Sequence, residues 1–172
     1  MTRIIAGSAR GRRLAVPPAG TRPTSDRVRE AVFSSIESDL LARGVGWSQV
    51  VVLDLFAGTG AFGLEALSRG ASGAAMVEKS RSAARVLEAN LAAVGCPGGN
   101  VLVRDARQLA SAPPMVEASL CFADPPYEWS ARDLKDLLDR FADSGWVRPE
   151  ALVIAERPAK DATHIAQIIG RM

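Results

Sequence analysis

The sequence predicts an α/β fold: a mostly parallel sheet covered by helices on both faces, with a small β-hairpin arm in front of it. Three observations predict it. Strand-like runs alternate with segments of helical periodicity between residues 50 and 155. Those runs are apolar throughout, as strands buried on both faces are. The first run, Val50-Val51-Val52-Leu53-Asp54, meets its helix through Leu55-Phe56-Ala57-Gly58-Thr59-Gly60. That is the strand, glycine-rich loop and helix with which α/β proteins bind a nucleotide-like cofactor.

A chain of 172 residues, 48% hydrophobic and 23% charged, suits one globular domain with a real core. Its apolar runs fall far short of a membrane span, and its N-terminus lacks the apolar centre of a signal peptide. Cys96 and Cys121 have no metal-type spacing. They read as reduced thiols of a cytoplasmic protein, with no metal expected. The charge is uneven. Residues 1–30 hold seven arginines against Asp26 and Glu30, while the rest carries 14 basic and 17 acidic residues. A cationic arm on a mildly acidic body points to a polyanionic partner, against the plainer reading of a solvated tail. Residues 1–22 form the expected basic arm and 23–172 the main domain.

The elements follow in order. Short β-like pieces (3–5 and 13–16) among Gly7, Gly11, Pro17 and Pro18 suit a hairpin or extended arm. Ser25 and Asp26 offer helix-start chemistry, and Val28, Val32, Phe33, Ile36, Leu40 and Leu41 recur at helical spacing over 25–42. In this reading Arg27 and Arg29 lie away from the apolar stripe. Strands are expected at 50–54, 74–78, 101–103, 119–123 and 151–155. Helices are expected at 60–69, stopped by Gly70, and at 81–94, capped by Ser80 and ended by Gly95. A short helix within 106–118 is broken by Pro113-Pro114, and Ser130 caps a helix over 131–142.

In such a sheet ligands bind at the carboxyl ends of the strands, where the strand order reverses. Four of the five strands end near an acid: Asp54, Glu78, Asp105 and Asp124. Four carboxylates on one rim make a binding site, although any one alone is an ordinary surface acid. Gly58, Gly60 and Gly63 spell G-x-G-x-x-G, with Glu78 twenty residues after Gly58. Taken literally this is a dinucleotide fingerprint, so NAD(P) is a rival. Asp54 beside the loop suits a cationic moiety better than a pyrophosphate. Asp124-Pro125-Pro126-Tyr127 is the sharpest motif. An exocyclic amine on a base is a poor nucleophile, so it must be held in line with a methyl donor with its N–H groups accepted. Asp124 and the Pro125 carbonyl can accept them, two prolines stiffen the loop, and Tyr127 offers a face for a flipped-out base.

With these residues in view, the sequence resembles class I S-adenosylmethionine-dependent methyltransferases. D-L-F-A-G-T-G is similar to their first motif and D-P-P-Y to their fourth. The stretches R-I-I-A-G-S-A-R-G-R-R-L and R-P-T-S-D-R-V-R-E-A-V-F resemble the N-terminus of the RsmD family of 16S ribosomal RNA guanine-N2 methyltransferases. The resemblance covers about residues 1–156 and implies a Rossmann-like three-layer sandwich with S-adenosylmethionine as cofactor. It implies that Asp54, Phe56, Ala57, Gly58, Thr59 and Gly60 hold the methionine end. Glu78, with Lys79 beside it, would bind the ribose, and Asp105 and Ala106 the adenine. Asp124, Pro125, Pro126 and Tyr127 would hold the guanine. Arg3, Arg10, Arg12, Arg13, Arg22, Thr24, Asp26, Arg27 and Arg29 would face RNA or close over the site. The implied partner is 16S rRNA or the small ribosomal subunit, met by a monomer.

The C-terminus departs from the pattern. The superfamily sheet has seven strands ending in an antiparallel hairpin, and residues 156–172 show no clear pair of strands. An incomplete edge is therefore expected, with Ile165, Ile168 and Ile169 suited to one short helix or strand. His164, the one histidine, is not needed as a base for amine methylation. Other readings stay open: a DNA adenine-N6 or protein-glutamine methyltransferase, a non-catalytic RNA-binding protein that keeps the pocket, or an NAD(P) oxidoreductase.

Overall fold

The computed structural model of the chain describes residues 2–18, 24–158 and 164–171, the last eight and residues 157–158 by backbone alone. Arg22 lies outside the described residues. A two-stranded antiparallel hairpin, β1 (Thr2–Arg3) and β2 (Arg13–Leu14), precedes helix α1 (Asp26–Ala42). Then come β3 (Val51–Asp54), α2 (Ala61–Arg69), β4 (Gly73–Val77), α3 (Arg81–Val94) and β5 (Gly99–Leu102). The chain continues through α4 (Ala106–Leu109), β6 (Ala118–Ala123), α5 (Ala131–Asp143), β7 (Val147–Pro158) and β8 (His164–Arg171). The main sheet runs β5-β4-β3-β6-β7-β8, parallel except for β8.

Alternation along each strand splits the core in two. Val52, Met76, Phe122 and Ile154 face a cluster with Phe33 of α1, Leu64 of α2 and Leu87 of α3. Leu53, Val77, Cys121 and Val153 face the other, with Leu109 of α4 and Leu138 and Phe141 of α5. This is the three-layer arrangement that a doubly covered parallel sheet requires. The helix ends follow local chemistry: Ser25, Ser80 and Ser130 cap α1, α3 and α5, and Gly70 and Gly95 end α2 and α3 in left-handed conformation. No helix among the described residues is long and apolar enough to cross a membrane.

The tail forms one eight-residue strand, β8, antiparallel to β7. It is the single strand that Ile165, Ile168 and Ile169 suited, it pairs with β7 from Leu152 to Pro158, and the sheet ends at six strands among the described residues. Several expectations need correction. Strand β7 begins at Val147, four residues earlier than expected, and β5 spans Gly99–Leu102 instead of 101–103. The helix expected within 106–118 is a single turn, α4. Arg29 is wholly buried, not away from the stripe, and Leu41, expected on the stripe, is exposed because it lies one residue past Leu40, about 100° round the helix. The spacing explains the arginine: 29, 33, 36 and 40 share one face of α1, and Phe33, Ile36 and Leu40 are buried there too. Burial lowers the Arg29 pKa, opposed by Glu65 and Asp26. Its guanidinium donates to the Arg3 carbonyl and to Asp26 Oδ1.

The arm lies against the body. Glu65, fully buried in α2, accepts the Ile5 and Ala6 amides at 2.8 and 3.0 Å. Ser68 Oγ donates to the Ala6 carbonyl and accepts from the Ala9 amide. Gly7 crosses here at φ +86°, where a Cβ would stand 1.9 Å from the Ser68 carbonyl oxygen. No larger residue fits that approach. Asn90 of α3 takes the far end: Oδ1 accepts from Ala15 N, and Nδ2 donates to Ala15 O and to Thr59 O.

Candidate active site

Strands β3 and β6 are neighbours, while the chain from β3 moves outward through β4 to β5. The order therefore reverses between β3 and β6, and the loops leaving their carboxyl ends flank one crevice. The loop after β3 is 55–60, and the loop after β6 is 124–130.

Asp54 closes β3 and is 3% exposed. Burial pushes its pKa up to about 7, helped by the charge of Glu78 and opposed by hydrogen bonds from the Gly63 and Phe56 amides. The Gly63 contact is 3.2 Å and lies in the first turn of α2. Glu78, one residue past β4, accepts from the Gly58 amide at 3.1 Å and from the Ser80 amide at 2.8 Å. Gly60 holds φ +83° where a Cβ would stand 2.2 Å from Leu87 Cδ1, so only glycine lets the loop lie this close to α3.

These bonds bear on the choice of cofactor. A dinucleotide loop offers its glycine amides and helix N-terminus to a pyrophosphate. Here the Gly58 amide is given to Glu78, and the Gly63 amide to Asp54. Among the described residues, Asp54 is held by main-chain N–H groups and not by a cation. An anionic ligand would meet repulsion here, and a cationic one attraction.

On the other side of the crevice Asp124 follows β6, half-buried. Its pKa is pushed up to about 7, by burial first and then by Glu156 and Asp54. Asp124 therefore feels the charge of Asp54 across the switch point. The Trp129 amide donates to the Pro126 carbonyl at 3.0 Å, closing the loop into a turn. The Tyr127 ring is 84% exposed, free to receive a flat partner. Trp129 meets Phe56 edge to face at 5.2 Å and lies under the Arg107 guanidinium at 4.0 Å. This aromatic wall joins the two loops. Asp105 Oδ1 caps α4 through the Arg107 amide, Ala106 is buried, and Lys79 is exposed.

The rim thus collects Asp54, Glu78 and Asp124 at strand ends, with Asp105 just beyond β5. Of the expected RNA-facing residues, Arg10, Arg12, Arg13 and Arg27 are exposed, and Arg3 is exposed with an ion pair to Asp26 at 3.3 Å. Buried Arg29 presents no surface and is withdrawn from that set. Sequence reasoning missed four residues. Glu65, Ser68 and Asn90 fasten the arm. Glu65 was findable as the lone acid within an apolar helix, and Asn90 by its place three residues after Leu87 on the core stripe. Glu156, 4% exposed near the end of β7, accepts the Thr24 hydroxyl at 2.7 Å. The rule that singled out the other strand-end acids applies equally to Ala155-Glu156.

The family model described as Conserved hypothetical protein 95 matches residues 2–170. The Ribosomal RNA small subunit methyltransferase D of Escherichia coli (strain K12) is 34% identical over 180 residues, covering 99% of this chain and 86% of that protein. The protein of the same name from Haemophilus influenzae is 32% identical, covering 90% of this chain and 77% of its own length. The solved structure of Escherichia coli yhhF superposes with a TM-score of 0.78 at 35% identity, covering 94% of this chain and 83% of that one.

Proposed function

The chain belongs to the RsmD family of ribosomal RNA small subunit methyltransferases, and from that premise we propose that it moves a methyl group from S-adenosylmethionine to the N2 amine of one guanine in 16S rRNA. The observation that carries the reading is the pair of loops at the switch point, one ending β3 with buried Asp54 and one following β6 with Asp124-Pro125-Pro126-Tyr127. The cofactor supplies an electrophilic methyl on a cationic sulfur. Asp54 and Glu78 support it with an acidic wall already organised by backbone amides.

The rest is work for this chain's residues. Asp124 and the Pro125 carbonyl accept the two N–H groups of the amine, orienting its lone pair at the methyl carbon. Tyr127 stacks on the flipped-out base. Positioning and electrostatic matching lower the barrier, and no strong base is required. The docked arm, with Arg10, Arg12 and Arg13 exposed, offers the phosphate contacts.

Mass spectrometry of ribosomal RNA from cells with and without the gene tests the reading. Loss of one N2-methylguanine from 16S rRNA is expected, and an unchanged methylation map would sink it. Tritiated donor, offered small subunits, naked RNA, DNA and protein in parallel, separates RNA from the other targets.

A further inference from the structure

The loop that follows β6 is fixed at its two ends and closed on itself. It leaves β6 after Ala123 and enters α5 at Ser130, whose hydroxyl caps that helix. Its two prolines and the Trp129-to-Pro126 bond set its internal shape. None of these sets its distance from the loop after β3, and Tyr127 is exposed. The half-buried Trp129 ring reaches across. Phe56 meets it at 5.2 Å with the ring planes 76° apart, and the Arg107 guanidinium lies over it at 4.0 Å.

Both partners of Trp129 are themselves braced. The Phe56 amide donates to Asp54, so its ring sits on the segment that carries the buried carboxylate. Arg107 lies in the one-turn α4. Its amide donates to Asp105 Oδ1 at 2.8 Å, and its carbonyl accepts from Arg140 of α5 at 2.8 Å. Arg140 also donates to Ser111 Oγ at 2.8 Å. The contacts thus run from the loop through Trp129, Arg107 and Arg140, and return through α5 to the loop's far end. We propose that Trp129 is a positioning residue for methyl transfer, holding the Asp124–Tyr127 loop at the distance from the donor that in-line attack needs. This rests on the reading above, in which that loop holds the target amine. Trp129 touches no reacting atom and acts through the acceptors of the loop. A ring is required and not bulk alone, since a guanidinium is drawn to the face of a π system and an edge-to-face contact needs two rings. A displaced loop still binds but reacts slowly, because a misplacement of about 1 Å can cost about 100-fold.

The test is single-turnover transfer from tritiated S-adenosylmethionine to small ribosomal subunits isolated from cells lacking the gene. Trp129→Ala, Trp129→Leu and Trp129→Phe are compared with the wild type, with donor affinity by calorimetry, subunit affinity by filter binding and Tm read on each. Trp129→Ala and Trp129→Leu should transfer about 30-fold or more slowly at saturation, with both affinities within about threefold of the wild type. Trp129→Phe should stay within about fivefold of the wild-type rate. An unchanged rate at saturation in a folded Ala or Leu variant overturns the proposal. A Leu variant as fast as the Phe variant overturns it too, reducing Trp129 to a filler of space. A loss confined to donor affinity also overturns it, making Trp129 part of the donor site. Should the Ala and Leu variants fail to fold, Arg107→Gln, which takes the guanidinium off the ring from an exposed position, decides instead. It should slow transfer at saturation by about threefold or more with both affinities kept, and an unchanged rate overturns the proposal. Full activity of Asp124→Ala, or no transfer by the wild type, overturns the reading of the loop itself, and the proposal with it.

Discussion

At the scale of the residue, two carboxylates carry most of the site's electrostatics. Asp54 and Asp124 both have pKa values raised to about 7, chiefly by burial. The sign follows. Between the unfolded value of 3.8 and about 7 the folded state holds more protons than the unfolded one, so stability falls as pH rises through that window. Each of the two carboxylates should contribute a slope approaching about 1.4 kcal/mol per pH unit, so Asp54→Asn should reduce the slope by roughly half. Urea midpoints at pH 5 and pH 8 report the difference; a flat profile in the unmodified protein would contradict the assignment. Under the proposed role of Asp54, the cationic donor favours the ionised carboxylate, so donor affinity should weaken by up to about tenfold per unit below pH 7. Calorimetry at pH 8 and pH 6 should show it, with proton release on binding. Asp124→Ala has a different signature. Methyl transfer should drop by about 100-fold or more while donor affinity changes little, and retention of full activity would exclude Asp124 from the chemistry.

At the scale of the element, the arm is held by side chains from two helices. Glu65 and Ser68 of α2 take its first half, and Asn90 of α3 its end. Gly7→Ala would put a methyl group 1.9 Å from the Ser68 carbonyl oxygen and leave a positive φ on a residue with a Cβ. A loss of about 2–4 kcal/mol is expected, or release of the arm. Hydrogen exchange distinguishes the two. Release exposes the amides of Ile5, Ala6 and Ala9 while those of β3 stay protected. Asn90→Ala removes three hydrogen bonds, one of them to Thr59 in the glycine-rich loop after β3, and should cost about 2 kcal/mol. Protection unchanged at Ala15 in that variant would show that the arm does not depend on this clamp.

At the scale of the whole molecule, charge separates into an acidic crevice and a basic arm. RNA binding should therefore be salt-dependent. Replacing Arg12 and Arg13 together by Ala should reduce the slope of log K against log salt by about 1.4, at about 0.7 per lost phosphate contact. Arg29→Met should leave that slope unchanged and act on stability instead, because Arg29 is buried. Filter binding between 50 and 200 mM salt, roughly the range over which counterion release shows, decides between surface and buried arginines.

The alternation of buried strands with periodic helices, the serine caps and the glycine stops are local signals, so the layers and the crevice were legible from residues alone. So were Asp54, Glu78 and Asp124, because each sits at a strand end and such ends share one rim in a parallel sheet. Other features depend on contacts between distant segments. The hydrogen bonds of Glu65, Ser68 and Asn90 to the arm span 59 to 75 residues of sequence, and no local pattern specifies their partners. Arg29 was misread because its charge was weighed above its spacing. The tail's pattern suits a helix or a strand equally, and pairing with β7 makes it a strand. Sequence by itself determined the fold class and the rim of acids. Only the tertiary structure decided that the arm is clamped, through Asn90, to the glycine-rich loop after β3, that Arg29 is internal, and that Glu156 stands beside Asp124. Each of these depends on bringing distant stretches of chain within hydrogen-bond or Coulomb range, which folding alone accomplishes.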